Sequence, residues 1–144
     1  MTWVAQIMPL HRAQPTSLRV GVMPADALAR AAGLACHDGV VVDEAARSSD
    51  PAIYAIGDSH RPLPHYGGSK RLESVANALE MAKQAAADLA GRDAPPPEVP
   101  FFWSDQFDLR LQIAGVRFDA VERRSGDPET GCMVCFIWGR TEPW

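Results

Sequence analysis

The sequence predicts a chain of mixed α/β and α+β character that ends in a small antiparallel β region. Three observations carry that expectation. Short apolar or β-branched runs at residues 39–43 and 53–56 alternate with helix-forming stretches at 25–32 and 74–90. A proline-rich segment, residues 92–100, divides the chain. Beyond it the hydrophobic period falls to two, because Phe107, Leu109, Leu111 and Ile113 alternate with Asp108, Arg110 and Gln112.

Taken in order, residues 1–17 carry no clear period and read as a leader without an assigned fold. Leu18-Arg-Val-Gly-Val22 is a short strand candidate. Pro24 suits a first helical turn, where its missing N–H is harmless, and residues 25–32 are rich in helix formers. Gly33 then supplies a left-handed cap. Gly39-Val-Val-Val-Asp43 is a compact β-branched strand. Ile53-Tyr-Ala-Ile56 reads as a buried strand, apolar on both faces, that stops at Gly57-Asp58. Pro62, Pro64, His65, Tyr66, Gly67 and Gly68 follow as a loop bordering the ligand.

The longest helix is expected over 74–90, with Ser74 as N-cap and Gly91 as terminator. Leu72, Val75, Ala76, Leu79, Ala82, Ala86 and Leu89 form its expected buried stripe, and Glu80 and Lys83 its wet side. After the linker, Phe101-Phe-Trp-Ser-Asp105 opens a new unit, Gly115-Val116 turns the chain, and residues 121–124 and 133–138 form the arms of a hairpin.

Two places carry candidate chemistry. A carboxylate at a strand end accepts hydrogen bonds from sugar-type hydroxyls, and a neighbouring glycine lets them approach. Gly57-Asp58 reads as such an end, although a Gly-Asp pair after a strand is more often a plain turn. At the start of the long helix, the unpaired N–H groups around Val75 and Ala76 carry partial positive charge that favours an anion; an ordinary core helix has the same start.

Composition excludes more than it proposes. The net charge of −4 and the isolated pairs Lys70-Arg71 and Arg123-Arg124 speak against nucleic-acid binding. No apolar run reaches the roughly 20 residues that span a bilayer, so no membrane association is expected. The first residues show neither a basic n-region nor an Ala-x-Ala site. Cys132-Met-Val-Cys135 is formally a C-x-x-C, but in a strand residues three apart face opposite sides. With Cys36 alone and His11, His37, His60 and His65 scattered, no metal set is expected. Reduced thiols suit a cytoplasmic location.

Ser49-Asp-Pro-Ala-Ile-Tyr-Ala-Ile-Gly-Asp58, Arg71-Leu-Glu-Ser-Val-Ala-Asn-Ala78 and Phe102-Trp-Ser-Asp-Gln106 resemble three ordered motifs of FAD-dependent NAD(P)H:ferredoxin reductases, the putidaredoxin and rhodocoxin reductase branch of the pyridine nucleotide-disulfide oxidoreductases. The resemblance covers roughly the C-terminal third of such an enzyme. It implies that 18–45 is the remnant of an NAD-binding domain, 46–92 the FAD-domain return (strand, loop, helix), 93–100 the linker, and 101–144 a shortened C-terminal reductase domain. It further implies electron transfer from NAD(P)H through FAD to a ferredoxin-type iron-sulfur protein. Asp58 with Gly57 would hold the ribityl chain. The amides of Val75 and Ala76, after Ser74, would face the pyrimidine edge, and Glu73 and Trp103 would line the ring; no residue is implied as a chemical catalyst. Neither G-x-G-x-x-G turn of the family occurs in this sequence. The expectation is therefore either a flavoprotein part or a non-catalytic module that needs a missing N-terminal half, or self-association, to hold FAD. A different hydroxyl-rich ligand at Asp58 is a third reading.

Overall fold

The computed structural model describes residues 3–7, 22–106, 109–116, 121–127 and 132–138. Its backbone falls into two units, residues 21–98 and residues 1–20 with 99–144.

The first unit opens with a short helix, α1 (Ala27–Ala31), stabilised by the i,i+4 pair Asp26–Arg30 at 2.8 Å. Gly33 follows at φ +77°, so the expected cap is in place. The strand candidate at Leu18 lies outside the described residues except for Val22. Residues 39–43 make only isolated pairings, Cys36 with Val40 and Val41 with His60. Residues 53–56 do not form the buried strand read from their composition. Tyr54 alone pairs, with Arg47, and both Ile53 and Ile56 are exposed. An apolar run becomes a central strand only between neighbours on both sides, and among the described residues this one pairs only with the short segment around Arg47.

The segment read as a loop is a β-hairpin. Strand β2 (His60–Leu63) pairs antiparallel with β3 (Gly68–Arg71), in register His60 to Arg71. A single 3-10 turn, Pro64–Tyr66, joins them and closes on Gly67 in the left-handed region. Burial holds the Tyr66 hydroxyl above its usual range, with the Glu80 charge adding to the shift.

Helix α2 (Val75–Leu89) has the expected limits: the Ser74 hydroxyl accepts from the Asn77 amide at 3.2 Å, and Gly91 lies beyond its end at φ +62°. Its orientation is the reverse of the expectation. Asn77, Glu80, Met81, Gln84 and Ala85 are buried, whereas Val75 is 59%, Leu79 59% and Leu89 69% exposed. Met81 and Ala85 pack with Val42 and Ala46, flanked by Val40, Tyr54 and Ala55, to make the core. The polar residues can be buried because each has a partner. Glu80 accepts from both terminal nitrogens of Arg61, at 3.1 and 3.3 Å, and Gln84 donates to the Pro95 carbonyl at 2.9 Å.

Near its C-terminus the helix is latched to the preceding loop. Arg47 grips Asp88 with two 2.6 Å hydrogen bonds, and the Tyr54 hydroxyl donates to the same carboxylate. These two partners, Tyr54 first and Arg47 second, hold Asp88 below the usual carboxylate range.

The second unit is a five-stranded antiparallel sheet in the order β4-β5-β1-β7-β6. Its members are β1 (Trp3–Ile7), β4 (Phe101–Gln106), β5 (Leu109–Ala114), β6 (Val121–Asp127) and β7 (Cys132–Trp138). Two hairpins, β4–β5 and β6–β7, flank β1, which lies in the stretch read from sequence as an unassigned leader. The alternation read for β5 holds where side chains are described: Leu111 and Ile113 are half-buried, Arg110 and Gln112 exposed. Gly115 turns the chain at φ +96°, its amide bound to the Pro100 carbonyl. Cys132 and Cys135 both fall in β7.

Candidate flavin site

The site begins with the backbone of Gly57. At φ +86° it occupies a region that L-residues rarely adopt, and no atom lies within 4 Å of the place a Cβ would take. Glycine here serves the turn rather than relieving a clash. A second glycine serves close packing. A Cβ on Gly39 would stand 3.1 Å from the Asp58 carbonyl and 3.1 Å from the Arg71 side chain, so the bare backbone at 39 lets the Asp58 segment lie against it.

Asp58 is exposed and lines a cleft of about 400 Å³ together with Val22, Met23, Asp26, Ile56 and Arg71. Arg71 forms the opposite side of the local charge balance. It donates to Asp38 at 3.1 Å, to Glu73, and to the Val22 carbonyl at 3.0 Å. Burial works against its charge, yet the Asp38 and Glu73 carboxylates leave its pKa above the ordinary arginine value. Glu73 is therefore committed to an ion pair with Arg71.

One side chain ties the Asp58 turn to the helix that follows. The Asn77 amide nitrogen donates to the Gly57 carbonyl at 2.8 Å and to the Leu72 carbonyl at 3.0 Å. Its oxygen accepts from Arg61 at 3.2 Å, and the residue is only 2% exposed. The Asp58 turn and the first turn of α2 are thus neighbours. The first intrahelical bond, from Ala78 N–H to the Ser74 carbonyl at 3.1 Å, leaves the Val75 and Ala76 amides without intrahelical partners.

Of the residues read from sequence, Gly57, Asp58, Glu73, Ser74, Val75 and Ala76 therefore lie on one connected stretch of the first unit. Asp58 alone of the six lines the cleft. Trp103 belongs to the second unit, on the edge strand β4, where it is 45% exposed and stacks on Phe101 with ring centroids 6.0 Å apart. Sequence reasoning passed over Asn77 and Arg71 although both stand in the quoted motif. The available signal was a polar residue three positions after the cap, inside an otherwise apolar helical start.

The groups on offer are an exposed carboxylate, Asp58, as acceptor within the cleft, the Val75 and Ala76 amides as donors outside its lining, and an arginine, Arg71, already paired with carboxylates. No group of three or more metal-ligating side chains occurs among the described residues, and no helix there is long and apolar enough to cross a membrane.

Residues 15–82 match the pyridine nucleotide-disulphide oxidoreductase family, and residues 101–141 match the reductase C-terminal family. A probable ferredoxin reductase, CtmF, of Castellaniella defragrans is 56% identical over 120 residues, which are 81% of this chain and 29% of the relative. Putidaredoxin reductase of Pseudomonas putida is 42% identical over 125 residues, 83% of this chain and 29% of the relative. Among solved structures, the covalent putidaredoxin reductase–putidaredoxin complex aligns with a TM-score of 0.68 at 32% identity, over 81% of this chain and 31% of that one. The ferredoxin reductase of the CYP199A2 system from Rhodopseudomonas palustris aligns at 0.65 and 37% identity, over 83% and 33%. The chain thus spans under a third of the length of these relatives.

Proposed function

From a chain that belongs to the ferredoxin reductase type of pyridine nucleotide-disulphide oxidoreductases, we infer one wall of a flavin site that serves electron transfer from NAD(P)H, through FAD, to a small iron-sulfur protein. The observation that carries this reading is the Asn77 bridge, which brings the Asp58 turn beside the open amides of α2. In this reading Asp58 accepts hydrogen bonds from the ribityl hydroxyls. The Val75 and Ala76 amides place partial positive charge at the pyrimidine edge, which favours the reduced, anionic ring. Ser74 fixes the helix start, and Glu73, held by Arg71, shapes the rim. Trp103 is assigned to the ring by family resemblance. Bound FAD supplies the redox chemistry, taking electrons as a pair and releasing them singly. Residues 18–45 then close the NAD-binding domain, 46–92 return the chain to the FAD domain, 93–100 link, and 101–144 belong to the C-terminal reductase domain.

A second reading is favoured by a separate observation. Val75, Leu79 and Leu89 present an apolar helix face that is exposed in this unit. It fits a module that holds FAD only with a partner chain. Titrating the purified chain into FAD and following flavin fluorescence separates the two. Saturable quenching, weakened about tenfold or more in Asp58→Ala as a charged hydrogen-bond acceptor is lost, supports the first reading. No quenching at any protein concentration supports the second.

A further inference from the structure

We propose that Asn77 is the positioning residue of this site: its carboxamide sets the Gly57-Asp58 turn and the start of α2 in one fixed register. The Gly57 and Leu72 carbonyls can only accept, and the Arg61 guanidinium can only donate. An asparagine with Nδ2 toward the two carbonyls and Oδ1 toward Arg61 satisfies all three at 2.8, 3.0 and 3.2 Å. The opposite amide orientation would set oxygen against two carbonyl oxygens and NH2 against a guanidinium. Arg61 therefore selects the orientation, and Glu80 holds Arg61 from the other side.

The carbonyls gripped are those next to the functional groups. Gly57 directly precedes Asp58, and Leu72 directly precedes Glu73 and Ser74. Asn77 is not among the residues that line the cleft. It acts through the backbone, from a position two residues into the helix whose open amides form the other half of the site. Substitutes fall short in different ways: aspartate places a carboxylate oxygen against both carbonyls, leucine removes the donor to both carbonyls and leaves Arg61 to Glu80 alone, and serine reaches at most one of the three.

The test is residue-level amide hydrogen exchange on the full chain, wild type and Asn77→Asp, without ligand. The amides of Ala55 and His60 flank the turn and bond to Ala46 and Val40; that of Ala78 reports the helix start, and those of Ala90 and Gly91 report its far end. We expect Ala55, His60 and Ala78 to exchange roughly tenfold faster, together, with Ala90 and Gly91 unchanged. Equal acceleration of all five, or of none, overturns the proposal, because Asn77 would then serve general folding or nothing. Should Asn77→Asp not fold, Asn77→Ser is judged by the same criteria, and its failure to fold also overturns the proposal.

The ligand arm rests on the flavin reading. If the wild type quenches FAD fluorescence, Asn77→Asp must weaken that binding by about the factor seen in exchange, and unaltered affinity overturns the proposal. If the wild type does not quench FAD, the flavin reading fails and the exchange arm alone decides the role of Asn77.

Discussion

His60 shows how a single side chain sets a pH dependence near the site. Its ring meets His37 edge-on at 5.1 Å, its Nε2 lies 3.0 Å from the Ser69 hydroxyl, and its Nδ1 is buried without a partner. Burial first, then the neighbouring His37 and Arg71, push its pKa below the ordinary histidine value, and Asp38 only partly opposes them. The unfolded chain therefore takes up a proton at His60 before the folded chain does. The contribution of His60 to stability is fully present above about pH 7 and is lost as the pH drops through roughly 6.5 toward the lowered value. Urea unfolding from about pH 8 to pH 5 should show this decline, and His60→Phe should flatten it. A decline of unchanged size in the variant would assign the effect to other groups.

Helix α2 illustrates what periodicity can and cannot reveal. Ser74→Ala should cost about 1 kcal/mol through loss of the cap. Met81→Ala should cost roughly 2–5 kcal/mol through a core cavity, whereas Leu79→Lys should stay within about 0.5 kcal/mol because its face is exposed. Denaturant midpoints of the three variants give the order directly, and a Leu79→Lys penalty as large as that of Met81→Ala would return the helix to its sequence-based orientation. The limits of α2 were legible because Ser74 and Gly91 act locally. Its orientation was not, because small and apolar residues occupy both faces. What decides is that Asn77, Glu80 and Gln84 find partners in Arg61, Gly57 and Pro95, far away in sequence. The run 53–56 misled for the related reason that a strand's character depends on its neighbours. The alternating β5, which needs only its own pattern, was read correctly where its side chains are described, whereas Asp58 lines a cleft from a turn that no strand precedes.

At the scale of the whole molecule, the segment read as a proline-rich linker is held by the first unit. Gln84 takes the Pro95 carbonyl, Lys83 pairs with Glu98 at 2.6 Å, and Glu80 accepts from the Glu98 amide at 3.2 Å. The Lys83–Glu98 pair is about half exposed and weak; the Arg61–Glu80 pair, 7% and 6% exposed, is the buried one. Arg61→Met alone should destabilise by roughly 3–5 kcal/mol, since it strands the Glu80 charge. Arg61→Met combined with Glu80→Met should recover most of that loss in chemical denaturation, and an equal or larger loss in the double variant would argue against an electrostatic origin. Residues 95–97 are three successive prolines and offer no N–H, so Glu98 supplies the first amide hydrogen after them. That hydrogen rests on the same carboxylate that steadies Arg61 and, through it, Asn77. In a nitrogen-15 spectrum the Glu98 resonance thus becomes a remote antenna for the Asn77 bridge, tuned by events twenty residues upstream and readable in solution without a chromophore.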